Sequence, residues 1–93
     1  MDNLNTFRKE ILELDKQILQ LLSERGTFVQ KIGIEKQKLN LKIYNSKREK
    51  DLIVQLKSSN KGPYNSMMIE CIFKTIFKVS KELQVKDNLP KHL

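Results

Sequence analysis

Apolar residues recur along the first 39 positions at alternating steps of three and four: Leu4, Phe7, Ile11, Leu14, Ile18, Leu21, Phe28, Ile32 and Leu39, with Arg25 and Glu35 in the same series. That period returns to one face of an α-helix, and neither a proline nor a strand-like alternation interrupts it. The spacing predicts a single long helix over residues 4 to 39. Leu12, Leu19, Leu22 and Val29 widen the stripe, so it can pack on more than one neighbour. Gly26 and Gly33 lie within it, each costing about 1 kcal/mol relative to alanine, which a helix held by tertiary packing tolerates. As a helix the segment extends about 54 Å. A compact globule of this chain length has a radius of gyration near ~12 Å and a diameter of about 32 Å. The helix must therefore overhang its own domain. Its apolar stripe has to be covered there, most simply by a second copy of the chain.

Residues 40 to 45 read as a loop, and Asn45 or Ser46 caps a second helix with Leu52, Ile53 and Leu56 on its inner face. The run Ser58, Ser59, Asn60, Lys61, Gly62, Pro63 breaks the chain again. A third helix starts at Asn65 or Ser66 and runs to about Val85, with Ile69, Ile72, Phe73, Ile76, Phe77 and Leu83 as its apolar positions. The expected architecture is all-α, with a long, a short and a medium helix in one domain over residues 1–86. Residues 87–93, which are polar and contain Pro90, read as a tail or the start of a linker.

Composition narrows the possible functions. Cys71 is the single cysteine and His92 the single histidine, so neither an intrachain disulfide nor a Cys/His metal cluster is expected, and a reducing cytoplasm suits the chain. The N-terminus lacks the basic and apolar regions of a leader, and no apolar run is long enough to span a bilayer. The net charge of +7 selects no partner class by itself. Its make-up says more. Of the eighteen lysines and arginines only three are arginine, Arg8, Arg25 and Arg48, and a planar guanidinium matches a carboxylate or phosphate in two-pronged fashion. A nucleic-acid module would account for the charge, but not for cations that interrupt inward-facing stripes, and the sequence has few aromatics to stack bases.

Arg25 sits in the apolar seam between Leu21 and Phe28, where its charge either reaches solvent, fixes the register of a coiled coil or is buried with a partner. Lys36 lies eleven residues on, through Val29 and Ile32, a separation that returns to nearly the same face. Phe73, Phe77, Ser80 and Gln84 repeat that series on the third helix and put a hydroxyl and a carboxamide on the continuation of an apolar face. Together these side chains outline a polar pocket inside an apolar bundle, where bundles place ligands. If Ser46 caps the second helix, Glu49 completes a capping box with it; if Asn45 does, Glu49 is free for a ligand. Arg8 is seventeen residues from Arg25, about 25 Å of helix, so only an antiparallel partner helix could deliver it to the same pocket.

The sequence Phe7-Arg8 with Ile11, Leu14-Asp15, Leu21-Leu22-Ser23-Glu24-Arg25, Ile32-Gly33, Lys36, Arg48-Glu49, and Ile72-Phe73 through Ser80 to Gln84 resembles the all-helical class of chorismate mutase over residues 4 to 84. Lys61-Gly62-Pro63-Tyr64 and the stretch from Ile72 to Lys78 further resemble the mutase domain fused ahead of DAHP synthase in some bacteria. The resemblance implies an intertwined homodimer without cofactor or metal, in which each site is completed by the partner's first helix. It implies that Arg25 and the partner's Arg8 bind the two carboxylates of chorismate, with Ser80 assisting. Lys36 and Gln84 would donate to the ether oxygen of the breaking bond, and Arg48, Glu49 and Asn45 would line the site near the ring hydroxyl. Asn45 stands where the family commonly has aspartate, and Ser46 where it often has proline. Two neighbouring activities share the fold: isochorismate pyruvate lyase, and a ligand-sensing domain that regulates a DAHP synthase while turning chorismate over slowly.

Overall fold

A computed structural model describes residues 2–88 and contains three helices: α1 (Asp2–Lys38), α2 (Ser46–Ser59) and α3 (Ser66–Asn88). Each boundary has a local cause. At the end of α1 the Leu41 N–H donates to the Lys36 carbonyl at 2.8 Å and the Asn40 N–H to the Gln37 carbonyl at 3.2 Å, with Asn40 in the left-handed region at φ 56°. This is the paired closure that ends a helix on a left-handed residue, a conformation asparagine tolerates better than most. Asn40→Ala should therefore cost about 1 kcal/mol in denaturant unfolding, whereas Asn40→Gly should cost nothing or stabilise.

Asn45, rather than Ser46, caps α2: its Oδ1 accepts from the Arg48 N–H at 3.0 Å and its backbone is extended. Ser46 is thus the first helical residue and Glu49 falls one place beyond the capping box, so its carboxylate is not used to cap the helix. Asn65 caps α3 in the same way, accepting from the Met68 N–H at 2.9 Å. Between α2 and α3, Asn60 organises the turn, with its Oδ1 accepting from the Gly62 N–H and its side-chain amide donating to the Tyr64 carbonyl. Helix α3 continues to Asn88, past the expected end near Val85. Nothing breaks the helical pattern there until Pro90, which disfavours helix in the residue before it. Of the expected tail, residues 87 and 88 belong to α3, and 89–93 lie outside the described residues.

Helix α3 is the middle element. The C-terminal half of α1 and α2 pack against it but not against each other. Close approach of α1 to α3 depends on glycine: a Cβ on Gly33 would stand 3.2 Å from Gln84 Cγ and 3.4 Å from its Cα, and one on Gly26 would meet Leu83 at 3.5 Å. The face of α1 that packs within the chain accordingly runs through Arg25, Gly26, Val29, Gly33 and Lys36. The seam of Leu21, Phe28, Ile32 and Leu39 lies one step round the helix and stays exposed. Val29, Ile53, Phe77 and Gln84 are buried, and among the described residues no large side chain is wholly enclosed. On the far side of α3, Lys57 and Lys74 both reach Glu70, at 2.7 and 3.0 Å. These bonds, that from Lys57 first, hold the Glu70 carboxyl below its usual range.

Residues 2–21 of α1 project clear of α2 and α3, and Leu4, Phe7, Ile11, Leu14, Ile18 and Leu21 are each more than half exposed. The radius of gyration is 16.9 Å and the longest dimension 55 Å. Both exceed what a compact chain of this length would show, and the overhang inferred from periodicity is real.

Candidate active site

Because α1 and α2 diverge from a common support, a wedge opens between them, floored by α3. It encloses about 430 Å³ and is lined by Arg25, Lys36, Arg48, Glu49, Ser80, Lys81 and Gln84 over an apolar base of Val29, Leu52 and Phe77. Four cations and one carboxylate face the same space, an excess of three positive charges suited to a small dianion. A second cleft of about 350 Å³ lies on the other side of Glu49 and Phe77. There the Glu70 carboxylate is already paired with both Lys57 and Lys74.

Arg25 resolves its three alternatives by pairing within the chain. Its Nη1 donates to Ser80 Oγ at 2.6 Å, and the Ser80 hydroxyl in turn donates to the Ile76 carbonyl at 2.6 Å. The guanidinium carbon lies 5.7 Å from the Phe77 ring centroid. Burial lowers its pKa, but a guanidinium so placed remains charged at any working pH. One edge of the fork is fixed by serine, leaving the other donors for a ligand. Ser80 thus acts here as a support for Arg25, its own proton being taken by Ile76.

Lys36 donates to the Ile43 carbonyl at 2.6 Å and to Gln84 Oε1 at 3.5 Å. The first contact depends on the tight closure of α1, which folds the following strand of chain back over the helix end. The second joins residues 48 apart in sequence. With Oε1 turned to Lys36, the buried Gln84 presents its NH₂ as a donor, and no protein acceptor is bonded to it among the described residues. An ammonium proton and an amide proton are therefore available side by side at one end of the wedge, and the Arg25 fork is available at the other.

The wedge collects seven of the eight residues expected from sequence: Arg25, Lys36, Asn45, Arg48, Glu49, Ser80 and Gln84. Arg8 is not among them. It lies on the exposed, projecting half of α1. The wedge also contains Lys81, a residue not expected from sequence, whose Nζ pairs with Glu49 Oε2 at 3.1 Å. The signal was present, since Lys81 is four residues after Phe77 and three before Gln84, on the same face of α3.

The profile of the family described as chorismate mutase type II matches residues 7–85. A chorismate mutase of Thermus thermophilus superimposes with a TM-score of 0.88 at 39% identity, covering 90% of this chain and 96% of that one. The Helicobacter pylori chorismate mutase, solved in complex with prephenate, also superimposes at 0.88, with 27% identity over 97% of this chain and 100% of its own. Among curated proteins, the bifunctional chorismate mutase/prephenate dehydratase of Aquifex aeolicus is 37% identical over 67 residues, and that of Buchnera aphidicola 36% identical over 86. The matches cover 72% and 91% of this chain but only 18% and 22% of those relatives. On profile, sequence and fold together, this chain belongs to the chorismate mutase type II family.

Proposed function

We propose that the chain rearranges chorismate to prephenate, a step toward phenylalanine and tyrosine, in the wedge between α1 and α2. The observation that carries this is the pair of unspent donors on Lys36 and Gln84 opposite the serine-braced fork of Arg25. In the reaction an ether C–O bond breaks as a new C–C bond forms in one cyclic shift of electrons, with no proton exchanged and no nucleophile used. The protein can therefore act in two ways only. It can hold the extended substrate in its compact, reactive conformer by gripping both carboxylates. It can also place fixed donors where negative charge grows on the ether oxygen. Arg25 serves the first role, Lys36 and Gln84 the second, and Arg48, Glu49 and Asn45 bound the region of the ring hydroxyl. A spectrophotometric assay of chorismate disappearance tests the reading, and a rate no faster than the spontaneous one would refute it. Release of pyruvate from isochorismate would favour the lyase instead.

The second carboxylate is assigned to Arg8 of a partner chain in an intertwined homodimer. The support is the apolar stripe left open on the projecting half of α1, with Arg8 next to Phe7 on it. A DAHP synthase domain is a further proposed partner, resting on the resemblance of residues 61–64 and 72–78; the two curated relatives above carry a prephenate dehydratase instead. A rise in mutase rate on adding the synthase would support it.

The Gln84 carboxamide has no proton to lose, so turnover should vary little from about pH 6 to about pH 8. Gln84→Glu reverses this. A carboxylate donates only when protonated, so the variant should be nearly inactive at neutral pH and gain rate as the pH falls. A pH profile of kcat for both proteins checks the sign.

A further inference from the structure

Lys81 is the one cation of the wedge that is paired with a carboxylate there, and its surroundings are built for that pairing. Its ammonium stands 3.1 Å from Glu49 Oε2 and 4.3 Å from the centroid of the Tyr44 ring. The contact joins three segments, since Lys81 lies on α3, Glu49 on α2 and Tyr44 in the connection after α1. Both ion-pair partners are about two-thirds or more covered, at 33% and 26% side-chain exposure. Glu49 is also the only acidic side chain lining the wedge, in company with Arg25, Lys36 and Arg48. Free to move, that carboxylate would turn to those cations and occupy the charges a dicarboxylate ligand must use.

We infer that Lys81 is a positioning residue, which, backed by the ring of Tyr44, holds the Glu49 carboxylate at the wall of the wedge, available to the substrate's ring hydroxyl and kept away from the carboxylate-binding cations. The inference rests on the mutase reading above. The hydroxyl contact and the cleared cations serve substrate and transition state alike, so loss of Lys81 acts on binding more than on the chemical step.

The test is steady-state kinetics on Lys81→Met, Lys81→Arg, Glu49→Gln and the Lys81→Met/Glu49→Gln double variant, each checked for helix content by circular dichroism. Lys81→Met should raise KM about tenfold while kcat changes by less than about twofold. Lys81→Arg, which keeps charge and reach, should restore KM to within about twofold of the wild type. In the Glu49→Gln background Lys81→Met should add less than about twofold, because no carboxylate is left to stray. An additive cycle would overturn the inference, since it would mean that Lys81 attracts the dianion merely as one more charge. Equal falls in kcat and kcat/KM, failure of arginine to rescue, or an unchanged KM in a folded Lys81→Met protein would overturn it too. If the wild type turns over and Lys81→Met behaves like it, the inference alone falls. Absence of turnover in the wild type sinks the mutase reading and the inference with it.

Discussion

Lys36→Ala is expected to lower kcat by about 10²- to 10³-fold, the range seen when one fixed donor to a developing oxyanion is removed. The charge that Lys36 would meet exists mainly in the transition state, so KM should rise far less than kcat falls. Two features of the structure make the effect large. The ammonium is held from both sides, by the Ile43 carbonyl and by Gln84 Oε1, so little reorganisation remains when the substrate arrives. It is also half-buried, where a charge is worth more than in water. Lys36→Arg should fail to restore the rate, because the planar guanidinium cannot occupy the position of the compact ammonium between those two acceptors. Single-turnover measurements of the three proteins give the result directly. A variant within tenfold of wild type would remove Lys36 from the ether-oxygen role.

The second large effect needs two defective proteins. Arg8→Ala and Lys36→Ala should each be nearly inactive alone, yet an equimolar mixture allowed to exchange subunits should regain about a quarter of wild-type activity. In the proposed homodimer, random exchange would make half the dimers mixed, and each mixed dimer would contain one site with both cations and one with neither. Recovery depends on Arg8 acting across the interface, because in its own chain it sits about 25 Å along α1 from Arg25. Native mass spectrometry of the mixture, with one variant isotope-labelled, would establish that mixed dimers form. Mixed dimers without recovered activity would place Arg8 outside the site, and full activity of Arg8→Ala alone would do the same.

Much of the site was legible because it lies on helices whose register can be counted. Arg25 and Lys36 share a face through an eleven-residue spacing, as do Phe73 and Gln84, and the wedge receives Arg25, Lys36 and Gln84 on its walls, with Phe77, four residues on from Phe73, at its base. The role of Glu49 was open for a specific reason. Whether Asn45 or Ser46 caps α2 moves Glu49 by one residue, about 100° of helix, which is the difference between satisfying a backbone donor and meeting Lys81. For Lys81 the register on α3 marks the face it shares with Phe77 and Gln84, but nothing in a basic chain with fifteen lysines announces that its partner is Glu49, 32 positions away. The seam also held a surprise. Read alone it was a single stripe, but the chain packs its own α3 on the glycine-bearing flank and leaves the larger residues of the stripe open.

The three helices and the overhang of α1 follow from sequence alone and their ends to within a few residues, whereas the choice of Asn45 over Ser46 as the cap of α2 and the last turn of α3 are seen only in the structure. Each helix is governed by interactions within a turn or two of chain: apolar period, side-chain caps at Asn45 and Asn65, and the left-handed Asn40. The wedge does not follow in this way. Its width depends on how closely α1 can approach α3 at Gly33 and on α2 packing to α3 without touching α1. Those distances are set by side chains far apart in sequence that meet only on folding. Only then does Lys36 stand beside Gln84, and Lys81 beside Glu49, so that scattered polar residues become one site.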